Sequence, residues 1–140
     1  MLTENDIVHR VAEYLKNDGY NVTQRLGTLE KGVDIIAEKA GVTLYVEAKG
    51  ETSSKEASSR YGKCFSQNQA KTHVAMAILA SMKILASKPE KSTKVAIAFP
   101  ANKDHKVLIS SIEGVLKRAG IDVFMVEEDT VTRTQAQESY

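Results

Sequence analysis

Gly32-Val33-Asp34-Ile35-Ile36-Ala37 and Val42-Thr43-Leu44-Tyr45-Val46-Glu47-Ala48-Lys49 are two runs of strand-forming residues. They are joined by Glu38-Lys39-Ala40-Gly41, with a glycine where a tight turn needs one, and together they read as an antiparallel hairpin. A two-residue turn at Ala40-Gly41 pairs Lys39 with Val42. That register sets Asp34 across from Glu47, with Cβ atoms roughly 5 Å apart. Lys49 follows Glu47 by two residues and so shares its face. The opposite face collects Val33, Ile35, Ala37, Leu44, Val46 and Ala48, all apolar. The hairpin therefore has one dry side and one side that gathers two carboxylates and an ammonium.

Two carboxylates that close repel by roughly 3 kcal/mol at a partly buried effective dielectric, and sheets normally avoid such pairs. A divalent cation converts the repulsion into ligation, and Mg²⁺ favours one or two carboxylates supplemented by water and phosphate oxygens. A neighbouring lysine can orient or deprotonate a water, or offset charge building on a phosphate. The inventory suits metal-assisted phosphodiester hydrolysis. A one-residue slip in register would turn Asp34 to the wrong face.

Asp34, twelve intervening residues and then Glu47-Ala48-Lys49 resemble the PD-(D/E)XK nuclease superfamily, the restriction-endonuclease-like fold. The resemblance covers residues 32–50 and departs from the family at Val33, where a proline is frequent. It implies Asp34, Glu47 and Lys49 as catalytic residues. It further implies Mg²⁺, or Mn²⁺, held by Asp34, Glu47 and the carbonyl of Ala48. Related nucleases, notably archaeal Holliday-junction resolvases, often bring a glutamate from the first helix near the metal, which here implies Glu4. The plainer reading of Glu4 is a carboxylate favoured by the helix dipole.

The rest of the chain supplies a compatible frame. Thr3 and Asp6 form a capping-box pattern ahead of Ile7, Val8, Val11, Tyr14 and Leu15 at helical spacing, and Gly19 closes the helix. A first strand over residues 20–26 precedes the hairpin. Residues 50–62 are a Ser-rich polar loop. A long helix over 65–88 carries Ala70, Val74, Ala77, Ile78, Ser81 and Leu85 on one face. A buried-type strand over 94–99, a helix over 104–119 and a strand over 121–126 complete the order α-β-β-β-α-β-α-β. This predicts an α/β fold, a three-layer α/β/α domain around a mixed sheet, matching the order of the nuclease fold. Residues 1–126 are read as that domain and 127–140 as an acidic, flexible tail.

Charge offers modest guidance. The 140 residues are 42% hydrophobic, enough for a core, with a formal net charge of +1. The tail holds four acids and one arginine, net −3, leaving +4 for residues 1–126. Lys55, Arg60, Lys63 and Lys71 follow the motif, where they can meet phosphates. Gln67 falls on the apolar face of the long helix, and some family members, including exonuclease domains fused to recombination helicases, carry a glutamine there beside the site. The tyrosine that accompanies it in exonucleases is absent, since Lys71 and His73 occupy that region. A lone Cys64 and no apolar leader fit a soluble protein of a reducing, cytoplasmic compartment. His9, His73 and His105 lack metal-ligand spacing, Gln69 and His73 point off the helix's apolar face, and residues 102–106 read as a solvated helix start. Neither a nucleotide-binding loop nor a membrane span is visible.

Three functions follow. The first is a metal-dependent DNA endonuclease acting on duplex or branched DNA, expected to work as a homodimer because two backbones need two sites. The second is a nuclease-fold protein without catalysis that serves recombination or element excision. The third is an α/β domain that binds a protein partner.

Overall fold

A computed structural model of the chain describes residues 1–27, 32–52 and 66–136. Helix α1 (Glu4–Asn17) is followed by strands β1 (Asn21–Arg25), β2 (Ile35–Lys39) and β3 (Val42–Ala48). Helix α2 (Gln67–Ser87), strand β4 (Thr93–Pro100), helix α3 (Lys103–Ala119) and strands β5 (Ile121–Val126) and β6 (Val131–Thr134) complete the order. The sheet runs β1-β2-β3-β4-β5-β6, each strand beside its sequence neighbour. β3, β4 and β5 are parallel, while β1-β2, β2-β3 and β5-β6 are antiparallel. The two parallel steps need crossovers, which α2 and α3 supply. The three-layer α/β/α arrangement expected from the order of elements is the one observed.

Each layer owes its place to an apolar face. Ile7, Val8, Val11, Ala12 and Leu15 of α1 pack on Ile35, Ala37, Leu44, Val46, Ala48, Ala96, Ala98 and Phe124. On the other side, Val74 and Ala77 of α2 and Ile109 and Leu116 of α3 cover Val95, Ile97, Phe99 and Val123. The apolar residues predicted for the dry side of the hairpin are thus buried under α1, apart from the half-buried Val33. Capping boxes start α1 (Thr3 with Asp6) and α2 (Ser66 with Gln69), Asn102 caps α3, and Gly120 ends it in the left-handed region.

The expected tail departs from the prediction. Residues 131–134 add a sixth strand at the sheet edge, opposite residues 123–126. Its anchor is Arg133, buried with Asp122: Nε and Nη2 donate to the same carboxylate oxygen at 3.0 and 2.7 Å. The backbone N–H of Ala136 donates to the other oxygen at 2.7 Å, and Nη1 reaches the Tyr20 hydroxyl at 3.3 Å.

The β2–β3 turn carries a local cost. Both central residues have positive φ, 52° at Ala40 and 79° at Gly41, which is the mirror-image turn that suits hairpin twist. Glycine adopts this freely, whereas alanine there is strained by roughly 1 kcal/mol. Ala40→Asn, which tolerates the left-handed region, should therefore stabilise the protein by about 0.5–1 kcal/mol, read as a higher urea midpoint.

Candidate functional site

The turn fixes what faces what. Lys39 pairs with Val42 and Ile35 with Val46, so Asp34, one residue before β2, comes opposite Glu47. Asp34 stands just outside β2, and there the Leu26 N–H still donates to its carbonyl at 2.8 Å while side chains make the remaining bonds. Gln24 Nε2 donates to the Val33 carbonyl at 2.7 Å, and the N–H of Ala48 donates to the Asp34 carboxylate at 2.8 Å. The Asp34 and Glu47 carboxyls act on one another, and the Lys49 charge acts on both.

Electrostatics follow from that crowding. Burial raises the Asp34 carboxyl above its usual range, opposed by the Ala48 N–H, Lys49 and the Glu47 carboxyl. Glu47 is pushed up to about 7, first by burial and then by the neighbouring Asp34 charge, with a further contribution from Glu4. A cation bound by this pair would favour the charged form of both carboxyls. Its donors are hard oxygens, which suit Mg²⁺ or Mn²⁺. Among the described residues, no group of three or more His, Cys, Asp or Glu could hold a metal ion, so Glu4 does not close a three-acid cage.

Glu4 is nevertheless brought to this end of the sheet. Gly50 packs directly against the start of α1, where an added Cβ would lie 2.4 Å from the Glu4 backbone nitrogen and 2.6 Å from the Thr3 carbonyl carbon. Thr3 and Thr52 form a parallel bridge. Gly50→Ala should force the α1 start away from β3 and cost about 1–3 kcal/mol, measured by urea denaturation.

Other sequence candidates scatter. Lys55, Arg60 and Lys63 lie outside the described residues, as does Cys64. Lys71 is exposed on α2. Gln67 is not at the centre of an apolar face: it is exposed at the first position of α2, with Nε2 3.4 Å from Asp104 on α3.

Two histidines depart from the sequence reading. His105 belongs not to a solvated helix start but to the core, 1% exposed and stacked on Phe99 with centroids 5.4 Å apart. Asn102 Oδ1 accepts from the His105 backbone N–H at 3.0 Å and lies 2.8 Å from its Nδ1. The Asn102 amide nitrogen is committed elsewhere, so Nδ1 carries the proton and Nε2 is a buried acceptor without a partner among the described residues. His73, expected to point away, is half-buried and feels the Lys49 charge, while His105 feels His73. The one available signal was that position 73 borders Ala70 and Val74 on the helix.

Burial, with the nearby His73, lowers His105 to about 4 from its ordinary 6.5, against the pull of Glu51 and Asp104. The folded protein then binds fewer protons than the unfolded chain, so this residue's share of stability falls as pH drops from 6.5 through about 4. His105→Phe, which keeps the stack, should lose less stability than wild type over that interval, as read from urea midpoints.

The acids sit at the carboxyl ends of β3 and β4, where open α/β sheets bind ligands, beside the amino ends of α2 and α3. A cavity of about 530 Å³ lies at the other end, bordered by Val42, Lys88, Lys91, Lys94 and Gly120. No described helix is long and apolar enough to cross a membrane.

Comparisons with known proteins give a fold rather than a family. No family model matches the sequence, and no curated protein resembles it significantly. The chain is similar to the crystal structure of an fdxN element excision controlling factor protein from Anabaena variabilis, with a TM-score of 0.55 and 18% identity. That match covers 94% of this chain and 99% of the other. A second similarity is to Pyrococcus furiosus SfsA in complex with Ca²⁺, at a TM-score of 0.37 and 15% identity, covering 94% of this chain and 59% of that one.

Proposed function

We propose that this protein is a metal-dependent DNA endonuclease whose site is Asp34, Glu47 and Lys49. The observation carrying the proposal is the placement of two half-buried carboxyls opposite each other at a strand end, Asp34 held by the Ala48 N–H and Lys49 two residues beyond Glu47. Burial and the neighbouring acid push Glu47 up to about 7 there. A structural role leaves that arrangement unexplained, because opposed acids cost stability. Asp34, Glu47 and the Ala48 carbonyl would hold Mg²⁺ or Mn²⁺. A bound ion of this kind supplies Lewis-acid activation of a phosphate and a more acidic water.

The chain's own contribution is positional. Asp34 is kept in place by the Ala48 N–H, so its second oxygen is directed by the backbone rather than by a flexible side chain. Glu47 would hold the ion as a carboxylate. Lys49 offers an ammonium to a phosphate oxygen as charge develops, or orients the attacking water. Exposed Lys71, Lys103 and Lys106, with the amino ends of α2 and α3, supply positive potential on the same side for a DNA backbone. Cutting both strands would require a symmetric pair of chains.

A second reading draws on the name of the similar structure, an excision controlling factor. In that case the fold would bind DNA as an accessory factor without cutting it. Incubation with supercoiled plasmid and Mg²⁺, against an EDTA control, separates the two. The endonuclease reading expects nicking that falls about 10²–10³-fold in Glu47→Ala and Lys49→Ala, with DNA binding retained. Wild-type cleavage rates in either variant would refute it, and metal-independent binding without nicking would favour the accessory role.

A further inference from the structure

Glu51 lies just past the acid-Ala-Lys triplet, and its carboxylate is fully engaged. One oxygen accepts from the backbone N–H of Leu2 at 2.8 Å, and the other from the Asn102 side-chain amide at 2.9 Å. Its own N–H donates to the Leu2 carbonyl at 2.9 Å. The partners are 49 and 51 residues away in sequence, on the segment leading into α1 and at the cap of α3. Asn102 is itself occupied, with Oδ1 taking the His105 backbone N–H. A single carboxylate thus joins three elements at the strand end that bears Glu47 and Lys49.

Each oxygen of Glu51 accepts a hydrogen bond from the fold, so the carboxylate is turned toward Leu2 and Asn102. Its role must be exerted through what it holds. The nearest consequence is on Glu4, the first residue of α1, whose backbone nitrogen packs against Gly50, three residues beyond Glu47. Leu2 and Thr3 are fastened to Glu51 and Thr52, and Gly50 admits their backbone at close range. Glu4 follows directly, so its approach to the acid pair is set by these contacts.

We propose that Glu51 is a positioning residue that fastens the start of α1 and the cap of α3 to the end of β3, holding Glu4 beside the Asp34–Glu47 pair as an outer acid. This rests on the cation-site reading above. An ion such as Mg²⁺ keeps several waters, and an outer carboxylate can accept hydrogen bonds from them without entering the coordination shell. Partners of this kind change metal affinity about 10–100-fold when removed.

The test uses the full chain with Mn²⁺ alone, counting free ion by electron paramagnetic resonance, alongside hydrogen exchange of the first turn of α1. Glu51→Ala should weaken Mn²⁺ binding at least about tenfold and speed exchange at Leu2, Asp6 and Ile7. Glu51→Gln, which keeps one acceptor oxygen, should fall between and guards against a variant that does not fold. The decisive comparison is with Glu4→Gln. If Glu51 acts through Glu4, the double variant binds Mn²⁺ no more weakly than Glu4→Gln alone, whereas a merely structural loss would add to it. Additive losses, or unchanged affinity in Glu51→Ala, would overturn the proposal. Should the wild-type chain take up no Mn²⁺, the cation site itself falls, and exchange then decides separately: faster exchange in the variants upholds the anchoring by Glu51, and unchanged exchange removes it.

Discussion

The turn at Ala40-Gly41 sets the register on which the candidate site depends. With two residues in the turn, every second side chain of β2 and β3 faces α1, and that set is apolar: Ile35, Ala37, Leu44 and Val46 are fully buried. One residue more or less would turn one of the two strands over, burying Ile36 and Glu38, or Thr43 and Tyr45, beneath α1 in place of its apolar set. The hydrophobic effect therefore holds the register, since burying an aliphatic side chain of this size is worth roughly 1.5–3 kcal/mol. Asp34 and Glu47 meet as a by-product of a pairing enforced by other residues. That explains how a sheet can sustain a repulsive pair: the repulsion is outweighed several times over along the same hairpin.

From that pair outward, the fold recruits distant segments. β4 lies parallel to β3 and takes the N–H of Lys49 onto the Ala98 carbonyl at 3.0 Å, extending order one residue past the strand. Gly50 then lets α1 approach, and Glu51 ties α1 and α3 to the same point. Successive residues from Glu47 to Glu51 thus have different duties along a single extended segment. Pleating accounts for part of this, because neighbours face opposite ways, and the end of β2 accounts for the rest, because it frees the edge for other partners.

Much of this was legible in the sequence, and the boundary is physical. Periodicity reveals which side of an element is apolar, so α1, α3, the hairpin and the paired acids could be read directly. Contacts between segments far apart leave no such trace. β6 is a four-residue edge strand with no clean alternation, and its reason for pairing is Arg133 meeting Asp122 on β5. His105 looked solvated among Lys103, Asp104 and Lys106, yet it is the position of α3 that turns onto Phe99. Glu51 stood in a polar loop, and nothing local announces partners about fifty residues away. Gln67 erred the other way, since helical spacing places it on an apolar stripe, yet it is the exposed first residue of α2.

The same sheet shows what this chain does with a buried acid that has only structural work. Asp122 receives two nitrogens of Arg133 and the backbone N–H of Ala136, and that guanidinium lies over both Tyr20 and Phe124. Both oxygens are satisfied and the charge is matched. Asp34 and Glu47 are handled differently. They share the charge of Lys49, Asp34 accepts one backbone N–H, and burial pushes both carboxyls above their usual range. Among the described residues, the acid on β5 meets a guanidinium directly, whereas the two carboxyls at the carboxyl end of β3 share the charge of Lys49. Acids compensated so differently within one sheet are what the proposed cation site would account for.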